Sequence, residues 1–245
     1  MPENIFKKVN MKMTSLNREP KKVTSEQMDM LFTFIRQHYV EYYDLQCELA
    51  DHLANAIEMQ WTTKPDMDFK DALNREFKKF GVFGFMDVVE KRQLALTKKY
   101  HKLMWVYFKE FFKLPKIILT LFVVFLVFKV VEYSVAIYTG LMISITVVGA
   151  YKLIAMYYDY RKKIKRTEKK WLFEDIIKRG GGIAATVYMP YYLIFHDISD
   201  NPSTVGMIYT AVLLTAFSLY LYIILYVIPG KANEHLLKTY PEYNM

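Results

Sequence analysis

The stretch VGMIYTAVLLTAFSLYLYIILYVI, residues 205–228, runs for 24 positions without a charged side chain. A bilayer hydrocarbon layer is roughly 30 Å thick, and a helix needs about 20 mostly apolar residues to cross it. Such a run restricts the chain before any other feature does. Hydrophobic residues make up 53% of the 245 and aromatics 16%, while the charged ones gather in the first half and in one later connection. That is the distribution of a membrane protein with soluble parts, not of a single globule.

Three more segments approach the same length and polarity. Residues 114–131 (LPKIILTLFVVFLVFKVV) and 133–157, which open YSVAIYTG, read as spans. Residues 181–195 are shorter, led by glycine and interrupted by Pro190; neighbouring helices can resatisfy a proline-broken backbone, so a kinked span is expected there.

Orientation follows from lysine and arginine in the short flanks. Lys98, Lys99, Lys102, Lys109, Lys113 and Lys116 precede the first span. Arg161, Lys162, Lys163, Lys165 and Arg166 lie between the second and third. The other two connections hold no such cluster. Both basic regions share a side only if an even number of crossings separates them. Four spans with both termini in the cytoplasm satisfy this. The polar start, MPENIFKKVNMKMTSLNREPKKVT, has no apolar run of signal-peptide length, and the lone Cys47 suits a reducing compartment.

The net charge of +8 is segregated. Residues 24–81 hold six Lys/Arg against eleven Asp/Glu; residues 91–116 hold eight against one; residues 159–179 hold nine against four. A nucleic-acid binder would place its positive charge on the folded module. Here the positive charge borders apolar segments, so direct nucleic-acid binding is not expected.

Ionisable groups at mid-membrane depth would point to a transport pathway. Lys129 and Glu132 are spaced to pair with each other, and Lys152 is close enough to the basic connection to snorkel toward it. Gly140 with Ser144, and Ala211 with Thr215, have small-xxx-small spacing and read as helix packing. KRGGGIA, residues 178–184, lacks the lysine and hydroxyl that complete a phosphate loop, and reads as a turn. His196 and Asp197 are adjacent but have no third partner for an embedded catalytic site.

Ahead of the spans the sequence turns helical. Thr24 and Gln27 make a capping-box signature, followed by Met28, Leu31, Phe32, Ile35 and Tyr39 on one face. A second helix begins near Asp44 with Leu45, Leu49, Leu53, Ala56 and Ile57 inward. A third is capped by Asp68, with Phe69, Ala72, Leu73, Phe77 and Phe80 inward, and ends at Gly81. A longer helix over residues 85–113 leads to the bilayer, its end WVYFKEFFKLPK mixing aromatics and lysines as an interfacial segment does.

YYDLQCELADHL, residues 42–53, is the one stretch that looks chemical. On a helix Asp44, Glu48, Asp51 and His52 form one polar stripe beside the leucines. Cys47 and His52 are spaced poorly for shared coordination, and no second cluster completes a zinc set. Asp44 is placed to cap, and Glu48 and His52 to pair. The stripe reads as a solvated face and as the candidate partner-binding surface. No catalytic residue, metal or cofactor is assigned.

DLQCELADHLANAIE, then a Pro-Asp turn, then DFKDALNREFKKFG, resembles the bacterial HAAS-type helical module. The matching positions are Glu48, Leu49, His52, Leu53, Ala72, Leu73, Phe80 and Gly81, over roughly residues 24–81. The resemblance implies a cytosolic interaction module ahead of membrane spans, in the company of PadR-like transcription regulators, and implies no enzyme.

The expectation is an all-α protein: a flexible tail over 1–23, a cytosolic three-helix module over 24–81, a linker and interfacial helix over 82–113, a four-helix transmembrane bundle over 114–228, and a cytosolic tail over 229–245. It would sit in a bacterial cytoplasmic membrane, signal through a cytosolic protein partner without catalysis, and be able to self-associate. The competing expectation is a small transporter or permeation protein gated by the module, with Ser134, Thr139, Ser144 and Thr146 lining a wet cavity.

Overall fold

The computed structural model describes residues 21–180, 203–240 and 243. All regular structure among them is helical. They divide into two compact units, Met1–Lys91 and Arg92–Met245.

In the first unit, α1 spans Ser25–Gln37, α2 Tyr43–Thr63 and α3 Phe69–Lys78. The capping box forms as the sequence implies. The Gln27 amide donates to Thr24 Oγ1 at 3.3 Å and the Thr24 amide to Gln27 Oε1 at 3.0 Å, so two amides with no intrahelical partner are satisfied. Leu31 and Ile35 turn fully inward. Tyr39 does not continue that stripe: the helix has already ended, the backbone is left-handed there (φ 65°), and the side chain is 83% exposed. Val40 fills the core instead, and its carbonyl accepts from buried Gln46 Nε2 at 2.7 Å.

Both α1 and α3 pack against α2. Leu45, Leu49, Leu53 and Ile57 are buried as expected. Ala50, Ala54 and Trp61 are buried with them, while Ala56 sits at the margin. Asp68 caps α3 by accepting from the Lys70 amide at 3.0 Å. Helix α3 ends at Lys78, and the left-handed Gly81 (φ 77°) comes two residues beyond the C-cap Lys79. Past it, five rings gather: Phe34 meets Phe77 at 5.1 Å, His38 meets Phe77 at 4.3 Å, and Phe85 lies 5.0 Å from Phe77 and 4.8 Å from Phe80. Gly84 is required there on two counts. Its φ is 55°, and a Cβ would stand 3.1 Å from the Phe77 ring.

Helix α4, Met86–Glu110, carries the chain across the boundary between the units. The second unit continues with α5 (Lys116–Tyr133), α6 (Val135–Thr167), α7 (Leu172–Lys178), α8 (Thr204–Tyr222) and α9 (Ala232–Leu237). Helices α5, α6 and α8 share a core of Val127, Val131, Tyr138, Met142, Ala211 and Leu214. Two helical stretches, Val135–Thr167 and Thr204–Gly230, are long and apolar enough to cross a membrane. Helix α5 has 18 residues but carries charge at Lys116, Lys129 and Glu132, and the span expected over 181–195 lies outside the described residues.

One helix end differs from expectation and another helix changes its winding, each for a physical reason. Helix α6 does not stop near residue 157; it runs on through DYRKKIKRT to a left-handed Glu168 (φ 54°). Lysine and arginine are good helix formers, and positive charge is favoured at a helix C-terminus. Helix α8 widens into a π turn over Ile223–Val227, where the Ile228 amide reaches back to the Ile223 carbonyl. Pro229 follows, with no N–H to give and a ring that would crowd the carbonyl four residues back, which the wider turn relieves. The expected tail after residue 229 contains α9, with Ala232, His235 and Leu236 buried.

Candidate functional site

Three of the four candidate partner residues share an open face of α2. Glu48, Asp51 and His52 are exposed. Asn55 Nδ2 donates to Asp51 Oδ2 at 3.1 Å, fixing that carboxylate along the helix. The His52 ring sits edge-on to Phe80 at 6.3 Å, which ties the face to the end of α3.

Asp44 is the exception. Tyr42 holds the N-cap position without a side-chain cap; Asp44 is the second residue of the helix and is buried. The helix starts two residues earlier than a cap at Asp44 requires. The carboxylate still lies in the first turn, where the helix dipole favours it. It belongs to the core and not to the presented face.

A groove of about 470 Å³ opens between α1 and α3, lined by Asp29, Met30, Thr33, Phe34, Lys70 and Asn74 among others. Sequence reading missed it. The available signal was Met30, an apolar residue off the Leu31/Ile35 stripe, which stays 43% exposed. The lining mixes carboxylate, hydroxyl, amide, ammonium and apolar groups. Among the described residues no group of three or more His, Cys, Asp or Glu converges.

The basic residues divide in the same way. Lys109, Lys113, Lys116, Arg161, Lys162, Lys165 and Arg166 are exposed, and Lys116 Nζ lies 3.5 Å from a Glu110 carboxylate oxygen. Lys163 is drawn inward: its ammonium donates to Glu174 Oε1 at 2.7 Å and also to the Tyr243 hydroxyl. Its partner Glu174 is only 4% exposed on the side chain.

Around that pair a clamp closes on the short α7. The Phe173 amide donates to the Tyr240 hydroxyl at 3.2 Å, the Trp171 and Tyr240 rings lie 5.0 Å apart, and Arg179 pairs with buried Asp175 at 3.0 Å. Tyr107 Oη and His235 Nε2 are 3.0 Å apart beside it. Burial lowers the pKa of His235 despite the neighbouring Glu234 carboxylate, and burial raises that of Tyr243. Burial also drives Tyr100 well above the ordinary phenol range. These groups hold neutral or paired forms and fasten elements together.

No family model, curated protein or solved structure matches this chain.

Proposed function

We propose that this is an integral membrane protein whose helical first unit is a cytosolic interaction module, regulating or signalling through a protein partner without catalysis. The observation that carries the membrane part is the inverted surface of α6. Only 11% of its apolar window is buried, and Ile137, Ile143, Val147, Val148 and Ile154 are all exposed. An apolar surface of that extent is stable only against another apolar medium. Four spans in a bacterial cytoplasmic membrane, with both termini inside, is the topology that the lysine and arginine pattern favours.

The partner part rests on the first unit. It has its own core, an acidic outward face at Glu48 and Asp51, and a groove at Met30 and Asp29. A HAAS-like module with a PadR-like regulator as its partner fits this arrangement. Permeation is less well supported. Thr139, Ser144 and Thr146 donate to carbonyls of their own helix at 2.9, 2.8 and 2.9 Å, and Ser134 Oγ accepts from the Ile137 amide at 3.4 Å. Those hydroxyls need no water-filled lumen.

The test is site-specific photo-crosslinking in cells, with the probe at Glu48 or Met30. A discrete protein adduct from both positions, lost when Asp51→Lys reverses the face, is expected. No adduct above that of a probe at Lys64 overturns the partner reading. Labelling of an Asp51→Cys thiol in a Cys47→Ala chain by a membrane-impermeant reagent on intact cells overturns the cytosolic placement.

A further inference from the structure

Within the second unit α4 has two faces of opposite character. Leu96, Tyr100, Met104 and Tyr107 recur at i, i+4, i+8 and i+11, and all are buried. On the reverse side Leu94, Lys98, Lys102, Trp105 and Lys109 recur at i, i+4, i+8, i+11 and i+15, and all are exposed. Trp105 is 54% exposed, whereas Trp61 and Trp171, the other two tryptophans, are at 2% and 4%. Beyond the helix Phe112 and Leu114 extend the apolar edge. Trp105 packs on Phe108 at 5.5 Å and Phe108 on Phe112 at 5.2 Å, so the aromatic run is ordered before anything covers it.

Positive charge dominates this face. Glu110 is the one acid in residues 91–116, and it lies against Lys116. Among the described residues, Lys98, Lys102, Lys109 and Lys113 have no carboxylate partner. An exposed indole set between ammonium groups is matched by a water–hydrocarbon boundary, where the ring sits among apolar atoms and its N–H stays wet. Lysine stems can lie along the same boundary while their heads reach phosphate oxygens. An acidic protein surface would answer the lysines, but it would leave Trp105, Phe112 and Leu114 without an apolar medium.

We propose that the outward face of α4, centred on Lys98, Lys102, Trp105 and Lys109, lies on the anionic phospholipid headgroups of the bilayer that holds the spans. This rests on the membrane-spanning reading and adds a lipid class and an address to it. The attraction is electrostatic at its outer reach and is screened beyond about 8 Å at physiological ionic strength. The face therefore discriminates anionic from zwitterionic lipid and responds to salt.

The experiment uses the full chain in nanodiscs of phosphatidylcholine alone and of phosphatidylcholine mixed equally with phosphatidylglycerol, each with and without brominated acyl chains. Tryptophan emission of the native chain is compared with that of Trp105→Phe, which leaves the two buried indoles in place. The Trp105 component is expected to be quenched by bromine at least about twofold more in the anionic discs, and to lose that excess in ~1 M salt or in Lys98→Gln/Lys102→Gln/Lys109→Gln. Equal bromine quenching in both lipids overturns the proposal, as do the absence of bromine quenching in either, which means that protein covers the face, and Trp105 open to aqueous acrylamide in both. Alkaline carbonate extraction separates the two readings. A chain that carbonate strips from the discs fails as a spanning protein, whereas a retained chain with no lipid dependence at Trp105 fails only this proposal.

Discussion

The Tyr107 hydroxyl and His235 Nε2 lie 3.0 Å apart across 128 residues of chain, buried together where α4 meets α9. The imidazole is held neutral mainly by burial, with Lys238, Lys231 and Lys99 adding to the effect and Glu234 opposing it. A lowered folded pKa means that the unfolded chain binds more protons as pH falls through about 6.5. The stability from this contact is complete above that pH and is lost as pH drops from there toward the lowered value. The thermal midpoint followed by Trp171 emission should fall between pH 7 and pH 5, and His235→Gln should flatten that dependence. A slope unchanged by the substitution assigns the acid sensitivity elsewhere.

Glu174 tests whether the clamp on α7 is held by charge or by packing. Its side chain is 4% exposed and accepts from Lys163 at 2.7 Å. Glu174→Leu leaves the ammonium of Lys163 without its carboxylate and should cost about 1–3 kcal/mol, discounted because Lys163 keeps some solvent. Glu174→Gln retains an acceptor and should cost less. Hydrogen exchange over residues 171–178 measures both: equal losses would show that the neutral acceptor adds nothing and that the lost charge carries the cost, and no loss in either would show that packing alone holds the clamp.

The two left-handed glycines after α3 should respond differently to alanine. Gly84 combines φ 55° with a Cβ position 3.1 Å from Phe77, while Gly81 has φ 77° and open space. Gly84→Ala should cost about 1–3 kcal/mol, from backbone strain and displacement of the ring cluster, and Gly81→Ala about 1 kcal/mol from strain alone. Amide exchange across residues 77–89 gives the ranking.

Asp68→Ala removes the acceptor for the Lys70 amide and should destabilise the first unit by about 1 kcal/mol. Asp68→Asn should recover most of it. Exchange at the first turn of α3 should speed up in the alanine variant and not in the asparagine one.

Local features were legible in the sequence because local atoms cause them. The Thr24–Gln27 box, the Asp68 cap, and the inward Leu45, Leu49, Leu53 and Ile57 follow from hydrogen-bonding chemistry and helical period. Lys129 and Glu132, three residues apart, pair at 2.6 Å as their spacing implies. Of the two small-residue pairs, Ala211 and Thr215 are buried, whereas, among the described residues, no neighbouring helix comes within 4 Å of a Cβ position at Gly140. The spacing is identical, so only the position of neighbouring helices distinguishes them. Lys152 follows the same rule, its ammonium resting 5.3 Å over the Tyr226 ring, a partner that its own stretch of sequence does not name.

What the sequence determined by itself is the helical class, the caps at Thr24 and Asp68 and the runs of apolar residues long enough to cross lipid, all set by interactions within a turn or two. The tertiary structure alone decided that Asp44 is buried while Glu48 and Asp51 are presented, that a groove opens between α1 and α3, and that Lys163 leaves the basic surface to meet Glu174. Each depends on which distant segment arrives beside a side chain, and the burial and charge that result are properties of the pair of segments, which no single stretch of sequence contains.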